Sequence, residues 1–91
     1  MSYEVRFTNQ FKKDLKSAHK RGLNLDLLNR VVDLLASQQP LPAKYRDHEL
    51  TGDYKGFREF HIQPDWLLVY RIDGDELMLF LARTGTHADL F

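Results

Sequence analysis

The sequence contains no cysteine, which excludes disulfide staples, thiolate zinc ligands and thiol nucleophiles. It carries no net charge, with 13 Lys and Arg against 13 Asp and Glu, so it is not a uniformly basic molecule that coats a polyanion. No apolar run approaches the ~18 residues of a membrane-crossing helix, and no charged-then-apolar leader is found. The expectation is therefore a cytoplasmic protein with no membrane partner. No repeat, linker or low-complexity segment interrupts the 91 residues, a length that suits one domain, 1–91, with a small two-layer core. At 43% hydrophobic residues the chain lies well above the regime of disorder, so that core should form unaided.

What is present is unevenly placed. Over residues 1–22, Arg6, Lys12, Lys13, Lys16, Lys20 and Arg21 are set against only Glu4 and Asp14, and the rest of the chain carries the compensating acid. A localised basic surface suits a polyanion on one side; a solvated helix face accounts for the same charges. Alternation over 3–7 predicts a first strand. Thr8 can cap a helix with Phe11, Leu15 and Ala18 on one face and Lys12, Lys16 and Lys20 on another, stopped by Gly22. Asn24 can cap a second amphipathic helix carrying Leu27, Leu28, Val31, Val32 and Leu35, which ends before Pro40 and Pro42. Beyond the prolines the period changes to two. A brief strand at 48–50 and a turn bracketed by Gly52 and Gly56 lead to a strand with Phe57, Glu59 and His61 on one face and Arg58, Phe60 and Ile62 on the other. A turn at 63–65, an apolar central strand at 66–72, a hairpin at Asp73-Gly74-Asp75 and a return strand at 77–83 complete the pattern. The fold class expected is α+β: β-α-α followed by an antiparallel β-meander, with the helices on one face of a twisted sheet. The other face is left for a site.

Three of the four histidines, His48, His61 and His87, lie in the second half of the chain, at strand ends or turns that a meander can bring together. Asp65 follows His61 across the Pro64 turn. Imidazole, with an ordinary pKa near ~6.5, serves as acid or base at neutral pH. His19 on the basic helix reads as an ordinary surface residue. Arg83 precedes Thr84-Gly85-Thr86, where it can hold a phosphate while a glycine turn admits backbone amides, or form a structural ion pair. Lys44, Arg46, Lys55 and Arg58 can extend an anion-binding rim around His48. Trp66 and Tyr70 belong to the most apolar strand and read as core. Three histidines and an aspartate can also ligate zinc or iron. The HExxH spacing is missing, however, and Pro64 separates His61 from Asp65, so metal-free acid-base chemistry with no cofactor is the preferred reading.

The segments "DHEL" (47–50), "YKGFREFHIQPDWLLVYR" (54–71) and "RTGTHADLF" (83–91) resemble the YafQ branch of the RelE-type toxins of bacterial type II toxin-antitoxin systems. The similarity runs through nearly the whole chain in order. It implies a RelE-like fold and a ribosome-dependent endoribonuclease, an mRNA interferase that cuts message in the ribosomal A site. The partners implied are a cognate antitoxin, the ribosome and mRNA, with operator DNA met only through the antitoxin. The family's acid-base residues match His48, His61, Asp65 and His87; its substrate-binding arginine and terminal aromatic match Arg83 and Phe91. Such chemistry uses the RNA 2′-OH as nucleophile, which is compatible with the missing cysteine. His48 and His61 then take base or base-orienting duty, Asp65 orients an imidazole and His87 is the general acid, although labels among the histidines can be exchanged. Lys12, Lys13, Lys16 and Lys20 would meet the ribosomal RNA backbone. A C-terminal helical turn over 86–91 would set His87 and Phe91 on one side of a nucleotide, unless Leu90 and Phe91 merely pin the chain end. The competing class is a non-catalytic nucleic-acid- or protein-binding module of the same fold.

Overall fold

The computed structural model describes residues 2–91. Thr8 starts the first helix: its hydroxyl accepts the Phe11 amide at 3.0 Å, and α1 runs Asn9–Lys20. Asn24 does the same for α2, Leu25–Ala36, taking the Asp26 amide at 3.0 Å. Such caps contribute about 1 kcal/mol each by satisfying amides that a helix start leaves open. Each helix turns an apolar stripe inward, Phe11 and Ala18 from α1 and Leu28, Val31 and Leu35 from α2. Lys12, Lys13, Lys16 and Lys20 stay exposed.

The strands β1 Glu4–Phe7, β2 His48–Glu49, β3 Arg58–Gln63, β4 Trp66–Asp73 and β5 Met78–Gly85 form one sheet of order β1-β5-β4-β3-β2. From β2 to β5 it is the antiparallel meander that the alternation implies. The first strand lies parallel to β5 at the edge, Glu4 opposite Met78 and Phe7 opposite Leu81. A parallel pair needs a long crossover, and α1 and α2 lie within it. Alternation sorts the two faces as expected. Phe60, Ile62, Leu68, Tyr70, Leu79 and Leu81 pack with the helices, whereas Leu67 and Val69 join Leu90 and the partly buried Leu50, Tyr54 and Phe57 in a smaller cluster. The class is mixed α+β, with the sheet not closed into a barrel. No helix among the described residues is long and apolar enough to cross a membrane.

The expected β4–β5 hairpin forms and turns over 74–77, with Leu77 left-handed at φ 53°. The Asp73 carboxylate explains this, since it accepts the amides of Asp75 and Glu76 at 3.1 Å each and so builds an Asx turn. The return strand continues past Arg83 through Gly85, where a turn was expected. Gly85 is needed for close approach instead: a Cβ there would stand 3.0 Å from the Asp89 Cβ. The chain then closes in the short helix α3, His87–Leu90, capped by Thr86.

Candidate functional site

Strand register assembles the site on the sheet face away from the helices. His48 of β2 lies opposite Glu59 of β3, and Glu59 and His61 share a face because they are two residues apart. His61 lies opposite Leu67, and Leu67 opposite Gly85, so the end of β5 comes level with His61 and α3 starts beside it. Three imidazoles result in a row, with ring centroids 5.9 Å apart from His48 to His61 and 5.8 Å from His61 to His87. The outer two have side chains 52% exposed, while that of His61 is only 7% exposed. The row thus has two accessible ends around a fixed centre.

The partners select the ring tautomers. His48 Nδ1 lies 2.9 Å from the Arg46 carbonyl, which can only accept, so Nδ1 carries the proton and Nε2 points towards Glu59 at 3.9 Å. Arg46 adopts the left-handed conformation, φ 50°, to present that carbonyl. Next to it Asp47 is tied down by the Tyr70 hydroxyl and by two bonds from Arg58, at 3.0 and 2.7 Å. Burial, and then the bond to Asp47, pushes the Tyr70 hydroxyl up from its ordinary pKa, while Asp47 raises that of Arg58. The His48 segment is therefore anchored through the core rather than left as a loose edge.

His61 Nε2 stands 3.2 Å from the Glu59 carboxylate; its Nδ1 is buried without a partner among the described residues. Glu59 itself is 5% exposed, a buried carboxylate between two imidazoles. At the other end Asp65 binds His87 twice, accepting from its backbone amide at 3.0 Å and from Nδ1 at 2.7 Å. This holds the Asp65 carboxyl below the usual carboxylate range, first through the His87 side chain. That pairing uses Nδ1 and leaves Nε2 of His87 outside it.

All four expected acid-base positions thus converge, and the Phe91 amide donates to the His87 carbonyl at 2.9 Å. Its ring is 59% exposed and meets Tyr54 edge-on, with centroids 5.5 Å apart. Arg83 engages Asp14 of α1 through Nε at 2.9 Å and Nη2 at 3.2 Å, leaving Nη1 outside that contact. The Asp14 bond raises its pKa, and Tyr54 adds to this at the site side. Of the expected cationic rim, Arg58 is turned to Asp47 and Lys44 lies over the Tyr45 ring at 4.9 Å; Arg46 and Lys55 are exposed. Lys12, Lys13, Lys16 and Lys20 lie on α1, on the helix layer and away from the imidazole row. His19 is exposed on that helix.

Sequence reading missed Glu59. The available signal was its place two residues before His61 on the same face, but the β2–β3 register that brings His48 to it is not written in either segment. His48, Glu59 and His61 each offer a ligand atom, all within 4.8 Å of one another, so nitrogen and carboxylate donors suited to a borderline divalent metal are at hand. This trio differs from the three-histidine and aspartate set that the sequence suggested.

Known proteins resemble this chain over almost its whole length. Residues 3–91 match the family described as bacterial toxin of type II toxin-antitoxin system, YafQ. The mRNA interferase toxin YafQ of Escherichia coli is 44% identical over 97% of this chain and 95% of its own. The toxin in the E. coli DinJ-YafQ toxin-antitoxin complex superposes with a TM-score of 0.89 at 40% identity, covering 100% of this chain and 99% of that one. A metal-bound toxin from Helicobacter pylori gives 0.91 at 49% identity over 100% of both chains. With the fold, the tail and the imidazole row all in place, the chain belongs to the YafQ family of type II toxin-antitoxin toxins.

Proposed function

We propose that this toxin is a ribosome-dependent endoribonuclease that cuts mRNA in the A site by metal-free acid-base catalysis. The observation that carries the reading is the row of three imidazoles with a half-exposed, tautomer-selected ring at each end. His48 Nε2, unprotonated, takes the proton of the RNA 2′-OH, and the imidazolium that forms faces the buried Glu59 carboxylate. The 2′ oxygen attacks phosphorus, and the bond from phosphorus to the 5′ oxygen breaks as His87 Nε2 delivers its proton to that oxygen. Asp65 supports His87 while it is an imidazolium. His61 holds Glu59 in place, and Arg83, itself fixed by Asp14, supplies positive charge to the phosphorane. Phe91 stacks on a base. The products are a 2′,3′-cyclic phosphate and a 5′-OH.

The relatives' name, mRNA interferase, and the DinJ complex support both the substrate class and a cognate antitoxin as partner; the ribosome requirement follows from the family resemblance. Regulated expression in bacteria should arrest growth and produce cuts within translated messages. Soluble protein that neither arrests growth nor cuts any message would leave the binding-module reading in its place.

A second reading concerns metal. The His48, Glu59 and His61 trio and the metal-bound relative favour binding of a divalent ion at this point. Such an ion would occupy the groups assigned to the base, so added zinc should slow cleavage. Cleavage that requires zinc would reverse the assignment.

A further inference from the structure

The one-turn helix that carries His87 cannot persist by itself, since a single turn fixes several dihedrals for very few hydrogen bonds. Something outside it must hold it. On one side Asp65 binds His87; on the opposite side the contact comes from α1, 68 residues away along the chain. Arg21, at the C-terminal end of α1, places two guanidinium nitrogens on Asp89, Nη1 to Oδ2 at 2.5 Å and Nη2 to Oδ1 at 3.1 Å. Asp89 is also the N3 partner in the capping box of α3: its Oδ2 accepts the Thr86 amide at 2.9 Å while the Thr86 hydroxyl accepts the Asp89 amide at 3.1 Å. Gly85 has no Cβ, which admits the Asp89 side chain against β5.

The pairing belongs to a larger design of α1. Asp14 and Arg21 are seven residues apart and so share a helix face. Asp14 takes Arg83 and the Thr84 amide, the latter at 3.1 Å, and Arg21 takes Asp89. Both pairs wall a cavity of about 220 Å³ between α1 and the end of β5. One helix face thereby grips the strand that leads into α3 and α3 itself.

The geometry points to Arg21 as a positioning residue for the nuclease: through Asp89 it fixes the helical turn that sets His87 and Phe91 against the substrate. Its kinetic consequence rests on the proposed nuclease reading; its structural consequence does not. A bidentate contact defines direction as well as distance, which a lysine at the same place cannot match. Misplacement of an acid by about 1 Å costs up to a hundredfold in rate.

The test uses the full-length chain with Arg21→Gln, Arg21→Lys, Asp89→Asn and the double variant Arg21→Gln/Asp89→Asn. Asn at 89 keeps an oxygen for the Thr86 amide. Amide hydrogen exchange on the free protein is read at Leu90 and Phe91, whose amides bind Thr86 and His87 carbonyls. Single-turnover cleavage is read on saturating programmed ribosomes. Exchange at both amides should accelerate in Arg21→Gln and in Asp89→Asn, and each should cut about tenfold to a hundredfold more slowly. The double variant should be no slower than either single, because one contact is lost once. Arg21→Lys should recover part of the rate. Ribosome affinity should stay unchanged in Asp89→Asn, since an aspartate is not a phosphate contact. Unchanged exchange, multiplied losses in the double variant, or a deficit of Arg21→Gln that vanishes at saturation would each overturn the assignment. A wild-type chain that cuts nothing defeats the nuclease reading instead, and exchange alone then decides the latch.

Discussion

Leu90 and Phe91 divide two tasks that neighbouring apolar residues at a chain end usually share. Leu90 is 7% exposed and packs with Leu67 and Val69, so it anchors the turn; Phe91, 59% exposed, contributes little to burial. The anchor reading of the tail thus fits Leu90, and the proposed stacking role falls to the exposed ring of Phe91. In Phe91→Leu we expect unchanged thermal stability and antitoxin binding, with cleavage reduced about tenfold to a hundredfold, the worth of one base stack. A variant that cuts at the normal rate would assign the ring to anchoring after all. At this scale the convergence of the histidines was legible because His48 opens β2, His87 follows β5 and His61 lies two residues before the end of β3. Glu59 was not, because one carboxylate among 13 acidic residues acquires meaning only when the register sets it between two imidazoles.

The elements were legible where the signal is local. Thr8, Asn24 and the apolar stripes place α1 and α2 correctly, and the 57–62 alternation assigns both faces of β3. Long-range choices were not: nothing within 3–7 says that β1 joins β5 in parallel, and nothing local says that the residue needing a left-handed backbone is Leu77. The closing element, α3, carries a pH signature. Asp65 is held below the ordinary carboxylate range first by the His87 side chain, and Asp89 first by Arg21. Groups depressed on folding stabilise the folded state fully above their unfolded values, near ~4, and that contribution is lost as pH falls through the lowered ones. Proton spectra of His87 and Phe91 should therefore report a docked tail from pH 7 to about pH 4, and release only in stronger acid. Release near pH 6 would mean that histidine protonation, not the two carboxylates, controls the turn.

The whole molecule is electrically neutral but polarised, with Lys12, Lys13, Lys16 and Lys20 exposed along α1 and the imidazole row on the opposite sheet face. Exposed helix lysines add little to stability, whereas phosphate contacts add to affinity and make it steeply salt dependent. Replacing all four by Gln should leave the melting temperature nearly unchanged, weaken ribosome binding and flatten its salt dependence. Unchanged binding would return this face to ordinary solvation. The chemistry itself is tested most directly by the ends left on a message cut on the ribosome by the wild-type toxin. A 2′,3′-cyclic or 3′-phosphate opposite a 5′-OH is the outcome expected of a base at His48, an acid at His87 and the RNA's own hydroxyl as nucleophile. A 5′-phosphate opposite a free 3′-OH would mean that water or a metal-bound hydroxide had attacked, and that the imidazole row does something else.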